Sequence, residues 1–196
     1  MESYTAVSLD GTVYTLSPSE PGPGAIEPYN EVVVDAFRAS MRLLAAGVVM
    51  VTTRVNDKPW GLTISSCCSI SLEPPRLLVS LARRTASCQA IVEDGRFGVD
   101  VLSAKQSPLA RHGAAPGAPK FIDEHCDDPR EHSHSPMIVG ALSHLDCAVA
   151  DIFDGGDHAI ILGDVNHVVH GKQAEGRRPL VYFDGLFHRL GSEVKG

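Results

Sequence analysis

The chain has 196 residues, 43% hydrophobic and 21% charged, proportions of an ordinary globular domain that exclude a disordered or fibrous polymer. A formal net charge of −7 leaves no basic footprint for nucleic acid, and no apolar run reaches the ~20 residues of a membrane span. Five cysteines, an odd number with Cys67 and Cys68 adjacent, make no disulfide framework and point to a reducing cytoplasm.

The opening residues, MESYTAVSLDG, lack the charged and apolar regions of a secretory leader. Residues 6–16, AVSLDGTVYTL, alternate around Asp10-Gly11, the two-residue signal for a hairpin turn. The segment SPSEPGPGAIEP, with four prolines and two glycines, reads as an irregular linker. Residues 1–28 are therefore expected to be an N-terminal arm, and 29–196 one domain. From Glu31 the apolar residues Val34, Phe37, Met41 and Leu44 recur at spacings of three and four, which predicts a helix with one buried face. Asn30 can cap it and Gly47 can end it. GVVMVTT, 47–53, is β-branched and too short for a second helix, so it reads as a strand buried on both faces.

Asn56-Asp57-Lys58-Pro59 reads as a turn into a second strand over 61–66. A third strand runs over 67–72. Pro74-Pro75 then marks a corner or sheet edge before a fourth strand over 76–82. Residues 85–93 read as a short helix closed by Asp94-Gly95, and 96–102 as a strand. Ser103 and Gln106 have capping-box spacing and open a helix through about Arg111. Residues 113–136 form a long loop rich in Gly, Pro, Asp and His, a length often used for lids. Two long strands, 141–153 and 159–169, are joined by Asp154-Gly155-Gly156-Asp157, which sets His158 at the mouth of the returning strand. A last strand over 180–183 precedes Asp184-Gly185 and a short end segment. About seven strands joined as hairpins, with few helices, predict a mainly β protein, an antiparallel barrel with flanking helices. No G-x-G-x-x-G joins a strand to a helix, so a dinucleotide-binding α/β fold is not expected.

Three clusters could carry chemistry. The first is the stretch 61–87, GLTISSCCSISLEPPRLLVSLARRTAS. It places Thr63, Ser65 and Ser66 at one strand end, and Ser80, Thr85 and Ser87 at a strand-to-helix step. Hydroxyls and free amides at a helix start suit a phosphate, and Arg83 and Arg84 add positive charge; the bland reading is a helix cap beside ordinary strand hydroxyls. The second is Gly156-Asp157-His158, whose imidazole can donate to a ligand or act as an acid, though it is as easily a surface histidine beside a turn. The third, the run from His125 to His134, holds zinc-ligand types at a spacing that matches no closed four-ligand site; a solvated loop is expected and no metal. No G-x-S-x-G occurs and Ser65 has no identifiable base, which disfavours hydrolysis.

Taken in order, FRASMRLLAAGVVMVTT, KPWGLTISS, SISLEPPRLLVSLARRTAS, DGRFGVDVLS, GDHAIILGDV and PLVYFDGLFHRL resemble the short-chain flavin reductases, the reductase components of two-component flavin-dependent monooxygenases. The resemblance covers about residues 31–191. It implies an FMN-binding split barrel, usually a homodimer with the flavin near the interface. It implies an NAD(P)H:flavin oxidoreductase, in which NADH or NADPH passes hydride to FAD or FMN and the reduced flavin leaves for a separate monooxygenase. The alternative is a non-catalytic flavin- or haem-binding split-barrel protein. On the resemblance, Ala46, Gly47 and Val48 lie against the flavin, and Thr63, Ile64, Ser65 and Ser66 meet its ring edge. Ser80, Leu81 and Ala82, with Thr85 and Ser87, follow the ribityl chain to the phosphate. His158 is the nicotinamide contact and catalytic residue with Asp157 beside it, and Tyr182 stands where a lid or ring-stacking residue is useful. This chain departs from the pattern at Ser65-Ser66-Cys67, where related sequences often have Asn-Ser followed by Phe. It departs again at Asp100, where Asn is common, a change expected to alter a strand contact.

Overall fold

The computed structural model describes residues 4–7, 13–16, 31–127, 133–171 and 178–191. Strands β1 (Tyr4–Val7) and β2 (Val13–Leu16) pair as the antiparallel hairpin expected of the arm. Its expected turn, Asp10-Gly11, and the expected cap Asn30 lie outside the described residues. Helix α1 spans Glu31–Arg42. Next come β3 (Ala46–Gly47), β4 (Val49–Val55), β5 (Lys58–Ile64), β6 (Cys67–Leu72), β7 (Pro75–Ala82), helix α2 (Ala86–Asp94) and β8 (Arg96–Val101). Helix α3 (Ser107–Ala114) follows a 3-10 turn, and β9 (Cys126–Asp127) and β10 (Met137–Ile138) form a short ladder. The long hairpin β11 (Ser143–Gly155) and β12 (His158–His170) and the short hairpin β13 (Leu180–Phe183) and β14 (Leu186–Arg189) complete the order.

Seven strands form one antiparallel sheet in the order β5-β4-β8-β11-β12-β7-β6. Its two edges, β5 and β6, are consecutive in the chain, with Ser65-Ser66 between them. Laid flat, six interstrand steps would hold the edges roughly 29 Å apart, whereas the three steps from Ile64 to Cys67 reach at most ~11 Å. The sheet must therefore roll until its edges converge at this link, although no ladder joins β5 to β6 among the described residues. Helix α2 touches β4 and β5 as well as β7 and β8, strands from both halves of the rolled sheet.

Local chemistry explains the turns and edges. Asn56 and Asp57 both take positive φ, 52° and 62°, as a two-residue β4–β5 turn requires and as these side chains tolerate. Pro59 lies on an edge strand, where its missing N–H costs little. Strands β11 and β12 turn through Gly156-Asp157 alone, with Asp154 and Gly155 still paired, so the connection is tighter than the four-residue joint expected. Asp184 (φ 47°) and Gly185 (φ 79°) turn β13 back into β14, a strand where the sequence predicts only a short end segment. LFHR contains no β-branched residue, and its pairing follows from the turn.

Both faces of the rolled sheet are buried. On one, Val49, Val51, Leu62, Leu77, Val79, Leu81, Phe97, Val99 and Ile161 pack with Cys88 and Ile91 of α2. On the other, Met50 and Val48 pack with Leu109 and Ala110 of α3, and with Ile122, Ile138, Ala141 and Leu180. Strand β4 thus presents alternate residues to both cores, as its run of apolar residues predicts. Helix α1 departs from expectation: Val34 is 39%, Phe37 63%, Met41 47% and Leu44 62% exposed, so its apolar face is not covered by the described residues. It is moored at its C-terminal end, where Arg42 pairs with Asp184 at 3.3 Å and the Asp184 amide donates to the Arg42 carbonyl at 2.9 Å.

Beside the second core lies a buried polar network. Asp100 Oδ1 accepts from the Ile138 amide (3.0 Å) and stands 3.1 Å from His144 Nδ1, while Thr52 Oγ1 donates to its other oxygen (3.4 Å). His144 Nε2 meets the Ser133 and Ser135 hydroxyls. Both hydroxyls, with the amides of His134 and Ser135, converge on Asp146 Oδ1 at 2.6–3.2 Å. Gly98 leaves the room: a Cβ there would collide with Thr52 Oγ1, and would lie 2.7 Å from both His144 Cε1 and Ser135 Oγ. Asp100 is therefore a hub that fastens the 133–138 segment to the sheet, more than the strand contact expected. Burial pushes its carboxyl above the ordinary 3.8, against the pull of hydrogen bonds from His144, Ile138 and Thr52.

A folded-state value above the unfolded one means that the native protein holds this proton more tightly. The resulting stability is fully present below the unfolded value and is lost as pH rises through the folded one. Urea unfolding should therefore show Asp100→Asn, which cannot ionise, gaining on the parent chain as pH is raised from about 4 to about 7; a pH-independent difference would contradict this. Asp100→Ala, which strands three buried donors, should lose about 3 kcal/mol or more.

Candidate active site

Where the sheet edges converge, a crevice of about 350 Å³ opens, within the usual range for small-molecule sites. Thr63, Ile64, Ser65 and Ser66 line it from the end of β5 and the link. Ser80, Leu81 and Ala82 come from β7, Thr85 from the cap of α2, and His158 from β12. Val48 and Tyr182 complete the residues that the sequence placed there. The structure adds Leu62, Ala114 and Phe187, of which Phe187 meets Tyr182 edge-on with ring centroids 5.7 Å apart. The aromatic in the missed strand β14 was the available signal for Phe187. Ala114, at the end of α3, gave none.

Ala46, Gly47, Ser87 and Asp157 are set back from the lining. Ala46 and Gly47 form β3 and pair with Tyr182 and Val181, so they carry the aromatic wall. Ser87 is buried in the first turn of α2, and its hydroxyl has no protein partner. Asp157 lies behind His158, Oδ1 to Nδ1 2.7 Å. An ionised carboxylate only accepts, so Nδ1 carries the proton, and in the neutral ring Nε2 is an acceptor. The hydrogen bond from His158 holds the Asp157 carboxyl below its ordinary range.

The hydroxyl wall is partly committed. Ser66 Oγ donates to the Ser80 carbonyl (2.8 Å) and the Ser80 amide to the Ser66 carbonyl (3.0 Å), which staples the link to β7. Thr85 caps α2: Oγ1 accepts from the Cys88 amide at 3.3 Å and donates to the Ala82 carbonyl at 2.7 Å. The next amides, Ala86 and Ser87, have no acceptor within the helix and give this end positive character. Gly95 closes the helix in the left-handed conformation, φ 70°. Of the two arginines expected to supply charge, Arg83 is engaged elsewhere, donating to the Asp154 carboxylate (2.5 Å) and the Gly156 carbonyl (3.0 Å). Arg84 is exposed. Just past the link, burial and then the neighbouring Cys68 push the Cys67 thiol up to about 11.

Asp100, His144 and the Ser133 and Ser135 hydroxyls align like a nucleophile set, which the sequence reading missed because their spacing is not local. Each is buried and each hydroxyl is hydrogen-bonded to Asp146, so the set serves packing. Among the described residues no three of His, Cys, Asp and Glu are placed to hold a metal; positions 128–132 of the His125 to His134 run lie outside them. No helix of the described residues is long and apolar enough to cross a membrane, and no disulfide joins any two of the five cysteines.

Residues 41–191 match the model of the flavin reductase like domain. The chain is 35% identical over 156 residues to a flavin reductase (NADH) of Kitasatospora aureofaciens, covering 79% of this chain and 81% of that protein. It is 34% identical over 149 residues to the reductase subunit HsaB of a flavin-dependent monooxygenase of Mycobacterium tuberculosis, covering 76% and 78%. The NADH:FAD oxidoreductase SgcE6 of Streptomyces globisporus, solved in complex with NAD and FAD fragments, superposes with a TM-score of 0.73 at 29% identity, over 87% of this chain and all of that one.

Replacing Thr85 with Ala removes both bonds of the α2 cap. The expected cost is about 1 kcal/mol, read as a fall in Tm of roughly 2–4 °C for a chain of this size. Thr85→Ser should retain most of the stability.

Proposed function

The chain belongs to the flavin reductase like domain family, and from that premise we propose that it is an NAD(P)H-dependent flavin reductase. It takes hydride from NADH, with NADPH as the second possible donor, reduces FAD or FMN, and supplies the reduced flavin to a separate flavin-dependent monooxygenase. The observation that carries this reading is the crevice itself, where one hydroxyl-lined wall, an aromatic pair and His158 meet at the convergent edges of the sheet. Relatives named as NADH-dependent reductases favour it over a non-catalytic flavin- or haem-binding protein.

The donor set fits a flavin. Leu62, Leu81 and Val48 offer apolar surface to a tricyclic ring, and Tyr182 with Phe187 offer aromatic contact. Thr63, Ser65 and Ser66 supply polar groups for the ring edge. Ser80 leads along the wall to the amides of Ala86 and Ser87, where a phosphate would meet the positive end of α2. FAD and FMN share that phosphate, so the same residues serve either. The flavin supplies the hydride-accepting chemistry when bound, and the protein's task is to hold two rings in register and exclude water. His158, its tautomer fixed by Asp157, is assigned to the nicotinamide, accepting through Nε2 at the mouth of the crevice as the neutral ring and donating through it as the cation.

The rolled sheet, whose edges β5 and β6 do not pair with each other among the described residues, is read as an FMN-binding split barrel. The exposed apolar stripe of α1, together with Leu186 at 62% exposure, is assigned to a homodimer interface, since a helix with such a face is normally covered. Cysteines that form no disulfide suit the cytoplasm. Residues 1–28 are taken as an arm outside the reductase domain of residues 29–196.

Purified protein given excess free FAD or FMN and either NADH or NADPH should bleach the flavin's visible absorbance catalytically; no turnover with any of the four pairings would overturn the assignment. His158→Ala should raise KM for the nicotinamide about tenfold with flavin affinity nearly unchanged, and an equal loss of both would contradict the role given to His158. Light scattering should report a dimer for the parent chain, shifted toward monomer by Phe37→Glu.

A further inference from the structure

Arg83 stands beside the proposed phosphate cradle, one residue after β7, where its charge would suit an anion. Its hydrogen bonds run the other way. The Arg83 amide donates to the Asp157 carbonyl at 3.1 Å, Nε to the Gly156 carbonyl at 3.0 Å and Nη2 to Asp154 Oδ1 at 2.5 Å. The same Asp154 oxygen accepts from the Gly156 amide at 2.8 Å. Both side chains of the ion pair are only 15% exposed, which lifts it above the usual negligible worth of a surface pair. Gly156 sits at φ 80°, and the hydrogen bonds from Arg83 hold the turn from outside through a rigid guanidinium fork. The residue that follows this turn is His158, whose β12 position pairs directly with Ala82 of β7.

We propose that Arg83 is a positioning residue for the reductase reaction: by clamping the 154–157 turn it fixes where Asp157 and His158 stand at the crevice, and it does not bind the flavin phosphate. The inference rests on the nicotinamide role assigned to His158. The clamp makes the strand-to-helix step that would hold the flavin tail and the turn that carries His158 one mechanical unit, so the two ligands meet at a fixed offset. Lysine cannot replace the fork, because one ammonium cannot reach both the Asp154 carboxylate and the Gly156 carbonyl in the same planar geometry.

The test uses the full chain with Arg83→Lys, Arg83→Ala and Asp154→Asn, the last keeping the shape of the turn while removing its charge. Each should shift the ring nitrogen resonances of His158, an outcome independent of turnover. Each should raise KM for NADH about tenfold, with the Kd of FAD and FMN, read by fluorescence titration, within about twofold. In a His158→Ala background the same substitutions should leave KM unchanged, since they act through that ring. Unmoved His158 resonances, additive effects with His158→Ala, or a loss of flavin affinity without a change in KM would each overturn the proposal. Shifted resonances with an unchanged KM for NADH would support the clamp and instead overturn the nicotinamide role of His158. Should Arg83→Ala fail to fold, Arg83→Lys and Asp154→Asn carry the same comparison.

Discussion

The chain passes from one edge of a seven-stranded sheet to the other through two residues, Ser65 and Ser66, and this short link forces the sheet to roll. Antiparallel pairing with a right-handed twist allows such coiling, and the apolar side chains of β4, β7, β8 and β12 fill the inside together with α2. At the link the edges converge without pairing, so backbone and hydroxyl groups that a continuous ladder would consume are tied to β7 or left facing the crevice. The site is a product of topology: it lies where a barrel would close if its edges could pair.

The second face of the sheet solves a different problem. A long connection with little regular structure must be held on the sheet, and the Asp100, His144 and Asp146 network does so through side chains from β8 and β11. Two buried carboxylates and one imidazole are an expensive way to make contact, because desolvation offsets much of the attraction. Nearly every polar atom in the set has a partner, and that satisfaction makes such a network specify one arrangement of a loop. The Arg83 clamp is a smaller instance of the same device, applied to a hairpin turn.

Much of this was legible in the sequence because it rests on local chemistry. Asp154 to His158, Thr85 with Gly95, and Ser103 with Gln106 each announce a turn or a cap through residues a few positions apart, and the structure contains all three. The hydroxyls of the 61–87 stretch were legible as a group, since strand ends and a helix start fall where hairpin counting puts them. Relations between distant elements were not. Nothing in the spacing of Asp100 and His144 says that β8 and β11 are neighbours, and nothing local says that Arg83 would turn to Asp154 instead of an anion. The face of α1 shows the same limit, since amphipathic periodicity reports that a surface wants cover and is silent on whether this chain provides it.

Cys67 follows the link directly, one residue past the crevice lining, where a fully exposed thiol would be open to oxidation. With its value raised to about 11, the thiol keeps its proton at neutral pH, and the thiolate is the form that reacts. The sulfur is thereby kept as inert packing. Rolling the sheet partly buries Cys67 against the first core at the point where the edges meet, so the geometry that opens the crevice also shields the sulfur next to it.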